Sequence, residues 1–186
     1  MNERMPPLAP HTMYEEQKEA AAELAAGPRG GVRGPFIALL RAPELMRRLQ
    51  KVGEYLRYQS ALERRLSEFT MLVVARHLTQ HFEWEVHQPL AIEAGVSEST
   101  VAALAQGARP TAMPDDEALV YDFCAELLLR FGVSETTYAS ALKRLGESGV
   151  VELVTLIGYF ITVSLVMNVA HTPTPSGVAP LEPFPR

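Results

Sequence analysis

Apolar residues recur at helical spacing along most of the chain, and no run alternates apolar and polar between turn signals in the manner of a strand. The pattern predicts an all-α fold of about eight helices. A first helix is expected from Met13 to Ala26, ended by the glycines and prolines of GPRGGVRGPF. A short turn follows from Pro35, then a break at Ala42-Pro43 and a helix from about Glu44. Further helices are predicted from Glu63 to about Leu78, from a cap at Ser97 to Gly107, and over Asp115–Phe131, Ser134–Gly146 and Val150–Ala170. The chain thus divides into an N-terminal helix with a Gly/Pro-rich arm (1–34), a helical domain (35–172) and a proline-rich tail (173–186). The tail is expected to be extended, lying on the surface or on a neighbour.

One predicted helix is unusual. From Leu153 to Ala170 there is no charged residue over roughly the length that spans a bilayer. Thr155, Thr162, Ser164 and Asn168 interrupt it, and it lacks Lys/Arg flanks, so the reading is a helix buried on all sides and no membrane partner. In a domain this small, such a helix is most readily covered if a second subunit contributes, which predicts an oligomer.

Composition narrows the field further. The 186 residues, 47% hydrophobic, suit one globular domain. A net charge of −5 provides no basic field for a phosphate backbone. The segment AIEAGVSESTVAAL has the pattern of a helix-turn-helix, but its would-be recognition helix, Ser97 to Gln106, has no Lys or Arg. No nucleic-acid partner is therefore expected. Cys124 is the single cysteine, which excludes an intrachain disulfide and any Cys-x-x-Cys motif. Its setting, ALVYDFCAELLLRF, predicts a small buried residue. With no basic and apolar leader at the N-terminus, a cytoplasmic location is expected.

The candidate chemistry is concentrated in HLTQHFEWEVH, His77 to His87, which holds three of the five histidines, two glutamates and the only tryptophan. Just upstream, Glu68 opens the apolar run SEFTMLVVAR, where a carboxylate needs solvent or a partner. In one straight helix Glu68 and Glu83 would lie about 22 Å apart. A break is required, and Thr79 is the expected N-cap of a new helix from Gln80 that carries Glu83 and His87 at i, i+4. The start of that helix would favour negative charge. His77, His81 and Glu85 could ligate a metal on one continuous helix. The break destroys that register, so no metal and no cofactor is expected, and Glu85 points away from the site.

At these residues the chain resembles the carboxymuconolactone decarboxylase family, which includes alkyl hydroperoxidase D. Glu68, Trp84, His87, Gly95, Gly158 and Asn168 carry the resemblance in this order, over roughly Pro35 to Pro175, with a Gly-Tyr pair in the last apolar helix. The resemblance implies an alkyl hydroperoxidase D-like helical bundle that self-associates as trimers or hexamers. Peroxidase members carry Cys-x-x-Cys-x-x-x-His, and the corresponding positions here are Gln80 and Glu83. Without those thiols that peroxide chemistry cannot run. The decarboxylase branch resembles Glu-Trp-x-x-His, here Glu83, Trp84 and His87. The implied activity is a cofactor-free lyase or isomerase acting on a small carboxylated lactone or keto acid of aromatic catabolism. Loss of CO₂ calls for an acid near the carbanion, a role that suits His87 with Glu68 or Glu83 orienting it or shuttling the proton. Trp84 and Arg76 are the nominated substrate contacts. Two alternatives stay open: a peroxidase-like protein by descent without thiol activity, and a metal enzyme using the His77–His87 cluster.

Overall fold

The computed structural model describes residues 2–184. It contains eight α-helices and no strand among the described residues: α1 Glu15–Ala26, α2 Pro35–Leu39, α3 Pro43–Tyr58, α4 Arg64–His77, α5 His81–Glu93, α6 Glu98–Ala105, α7 Asp115–Arg130 and α8 Glu135–Ala170. A 3₁₀ turn at Pro10–Thr12 precedes them.

The core is built around α4. Beyond its two leading arginines, seven of its twelve residues are apolar, and every residue from Leu66 to Arg76 is buried. No single stripe faces inward, so the helix must be covered on all sides. It is enclosed by α5, α6, α7 and the second half of α8. Phe69, Leu72 and Val74 meet Leu153, Leu156 and Ile157 of α8 and Phe123 of α7 in one cluster. The turn leading into α4 is pinned by Glu152, which accepts hydrogen bonds from the Tyr55 hydroxyl (2.6 Å), the Ser60 hydroxyl (2.6 Å) and the Ala61 N–H (2.9 Å). The buried carboxylate thus satisfies the backbone between α3 and α4 and fixes how α4 enters the bundle.

The two helices expected over Ser134–Gly146 and Val150–Ala170 are both present, as the two arms of α8 on either side of a break at Gly146 (φ 71°, ψ 174°). By length and composition α8 could cross a membrane, but 56% of its apolar stretch is buried inside this fold. Leu165 and Val169 remain about half exposed on its outer side.

Both ends of the chain join the bundle. Ala20 and Leu24 of α1 pack with Phe36, Leu39, Leu40 and Met46 in a second, smaller core, and Gln17 Nε2 donates to the Leu40 carbonyl at 3.1 Å. The arm after α1 passes over α5 at Gly34, where a methyl group would lie 2.6 Å from the Phe82 ring; φ there is +55°, so glycine is required twice over. At the other end the tail folds onto its own chain. Leu181 is buried in the main core, and Glu85 accepts the Ser176 N–H at 2.9 Å and its hydroxyl at 2.8 Å.

Candidate active site

The break between α4 and α5 falls where expected, with one shift. Thr79 is not the N-cap; it holds a left-handed conformation (φ 47°) at the end of α4. The Gln80 N–H bonds the Ala75 carbonyl (2.8 Å) and the Thr79 N–H bonds the Arg76 carbonyl (3.0 Å), the paired closure of a helix C-terminus. Gln80 is the N-cap of α5, its side-chain oxygen accepting the Glu83 N–H at 2.9 Å. A threonine at positive φ carried no signal in the sequence, since glycine or asparagine normally fills that position.

The reversal folds α5 back against α4 and brings Glu68, Glu83 and His87 together. His87 Nδ1 lies 2.6 Å from Glu68 Oε2, and His87 Nε2 lies 3.1 Å from Glu83 Oε2. All three side chains are buried. Each ring nitrogen therefore faces a carboxylate, which only accepts when ionised. Filling both hydrogen bonds takes two protons, and the trio then carries one net negative charge wherever those protons reside. Burial works against charge on the ring, but the hydrogen bonds from Glu68 and Glu83 and the charges of both carboxylates outweigh it. They hold the His87 pKa above its ordinary value. Phe160 closes one side, its ring edge-on to the imidazole at 5.3 Å between centroids.

His87 and Glu83 line a cavity of about 570 Å³, within the size range of small-molecule sites. Glu68 is not among its lining residues and stands behind the imidazole. Apolar walls come from Phe36, Phe82, Val86, Phe160 and Val163, and the rim from the arm at Pro28–Gly34 and the tail at Pro173–Pro175.

Other nominated residues lie elsewhere. Arg76 does not reach this cavity. Its guanidinium stacks 3.6 Å over the Phe184 ring and lines a separate hollow with His77 and Leu104. Burial lowers the Arg76 pKa. Trp84 is 1% exposed in the main core, on the side of α5 that packs inward, and does not touch the cavity. Glu85 is engaged by Ser176. Among the described residues no three His, Cys, Asp or Glu side chains are placed to hold a metal. The cavity's cations, Arg29, Arg33 and Arg57, and its phenols, Tyr58 and Tyr159, were not singled out from the sequence as site residues. Arg29 and Arg33 sit in the Gly/Pro arm and Arg57 at the end of an amphipathic helix, where nothing separates them from surface arginines. Tyr159 was visible only as half of the Gly-Tyr pair.

Comparison with known proteins bears on the fold and on the stretch that carries this array. The carboxymuconolactone decarboxylase family's sequence pattern matches residues 43–120, a stretch that includes Glu68, Glu83, Trp84 and His87. The fold is that of the alkylhydroperoxidase AhpD core. The crystal structure of an uncharacterized peroxidase-related protein from Ralstonia eutropha JMP134 with that core superposes with a TM-score of 0.74 over 92% of each chain, at 14% sequence identity. No curated protein matches the chain.

Proposed function

We propose that the chain is a cofactor-free acid–base enzyme of the carboxymuconolactone decarboxylase type, acting on a small carboxylated lactone or keto acid. The observation that carries this reading is the imidazole of His87 held between two carboxylates, one of which opens onto the cavity. Decarboxylation breaks the bond to the carboxylate carbon, releases CO₂ and leaves the electron pair on a dienolate that must take up a proton. The proton shared between Nε2 and Glu83 is the one within reach of the cavity. Its transfer to carbon leaves the array one proton short, to be restored from solvent. Glu68, behind the ring, orients the imidazole and favours its charged form, and so is a positioning residue. Two carboxylates on opposite sides of one imidazole divide the roles of proton carrier and orienter.

A thiol peroxidase reading finds less support. Gln80 and Glu83 stand where the resemblance puts the two cysteines. The thiol of Cys124 is fully buried and pushed up to about 12 by that burial, so it is not a thiolate at neutral pH.

The test is turnover of a panel of lactones and keto acids by the wild type, Glu83→Gln, His87→Asn and Glu68→Gln. Loss of general acid–base catalysis costs about 10²- to 10⁴-fold in rate. Loss on that scale is expected for the first two, with a shifted pH profile for Glu68→Gln. Equal turnover by wild type and His87→Asn would refute the proposal.

A further inference from the structure

Three polar groups on the wall of the same cavity have no partner. Arg29 Nε and Nη2, Arg57 Nε and the Tyr159 hydroxyl are all buried as atoms and make no hydrogen bond within the protein. Tyr159 is 94% buried, its relative exposure being 6%. Leaving such donors unpaired is costly, more so for charged ones. On the wall of an open cavity such donors are available to a ligand.

Their placement is specific. The Tyr159 hydroxyl and Arg29 rest against the same glycine. A methyl group on Gly53 would collide with the Tyr159 hydroxyl and lie 2.7 Å from Arg29 Nη2. Only glycine on α3 lets the two donors approach the helix backbone there. Arg29 is braced from behind by the Phe36 ring, 4.6 Å from its guanidinium carbon, which fixes the direction of the fork. Arg57 comes from the last turn of α3 and lines the same cavity. Charges of both signs act on the phenol: burial raises its pKa, Arg29 and Arg57 oppose the rise, and Glu83 adds to it. Tyr159 lines the cavity together with both of these arginines, Glu83 and His87.

We infer that Arg29, Arg57 and Tyr159 form a carboxylate-binding subsite that orients a small cyclic or unsaturated monocarboxylic acid toward Glu83 and His87. Two guanidinium forks and a phenolic O–H are donors only toward a carboxylate, and a carboxylate offers about four lone-pair sites to receive them. The net negative charge of the Glu68–His87–Glu83 array repels a carboxylate, so the anion favours the arginines. The apolar walls between Phe36 and Val163 take the ring or chain. The assignment rests on the proposed function only in making this cavity the place of chemistry; the anion site stands on its own geometry.

The experiment is calorimetric titration of the full chain with benzoate, and with benzamide as the neutral isostere. Wild type is expected to bind benzoate in the micromolar to low millimolar range, at least tenfold more tightly than benzamide. Arg29→Gln and Arg57→Gln should each weaken benzoate at least tenfold, and Tyr159→Phe several-fold, while benzamide changes little. His87→Asn should retain benzoate binding. Unliganded melting curves identify any variant that is misfolded. In that event the wild-type preference for benzoate over benzamide, and its weakening by chloride, decide the matter alone. Undetectable benzoate binding by wild type, equal affinity for the amide, or undiminished binding by folded arginine variants would overturn the subsite. Arginine-dependent benzoate binding together with a silent turnover panel would support the subsite while removing the decarboxylase reading.

Discussion

Glu68→Gln isolates the charge in the buried array from its shape. The amide has almost the volume of the carboxyl, so no cavity forms, and its oxygen can still accept from His87 Nδ1. What is lost is one negative charge 2.6 Å from a ring that is 3% exposed. A hydrogen bond to a charged group contributes about 1.5–3 kcal/mol, and breaking a buried ion pair by removing one partner costs about 3–5 kcal/mol. Glu83 still faces Nε2, so the ring keeps one counter-charge, and the expected loss at pH 6 is about 3 kcal/mol. The loss depends on pH. Because the folded-state pKa of His87 is raised, its charged form contributes stability that is complete below the unfolded-state pKa of about 6.5 and declines as pH rises through the folded value. Glu68→Gln lowers that folded value, so the gap between wild type and variant narrows once the wild-type ring itself gives up its proton. Urea unfolding of both proteins at half-unit steps upward from pH 6 measures the gap, and an NMR titration of the His87 ring locates the pKa. A gap that stays constant across the series, or a ring pKa unchanged by the substitution, would refute the ion-pair account of this site.

Thr79→Gly is expected to raise stability by about 0.5–1 kcal/mol in urea melts, since it relieves a left-handed threonine at the end of α4; a loss would mean that the Thr79 side chain contributes more than the strain costs. Cys124 should resist iodoacetamide in the native protein at pH 8 and react on unfolding, as followed by mass spectrometry, because its thiol is buried with a pKa of about 12. Leu181→Ala should cost about 2–3 kcal/mol by urea melting if the tail completes the core, and almost nothing if the tail is a loose extension.

How much of this was legible in the sequence depended on how local each determinant was. Helical periodicity revealed the helices, because a 3.6-residue period is written in the chain itself, and the separation of Glu68 and Glu83 along one axis required a break near Thr79. The i, i+4 spacing put Glu83 and His87 on one face of a helix. The tertiary structure decided which groups meet across elements. Glu68 reaches His87 because α5 folds back on α4 through a threonine in a conformation that favours glycine, a geometry no residue type announced. Arg76, the nearest arginine in sequence, is turned away onto Phe184. Arg29 and Arg57, far from the motif in sequence, reach the cavity because α1 and the arm share a core with α2 and α3 instead of lying apart. The sequence by itself determined the elements and the central imidazole. Which charges surround the cavity is a property of packing, because charged side chains carry no periodic signal and acquire their partners only when distant segments are brought together.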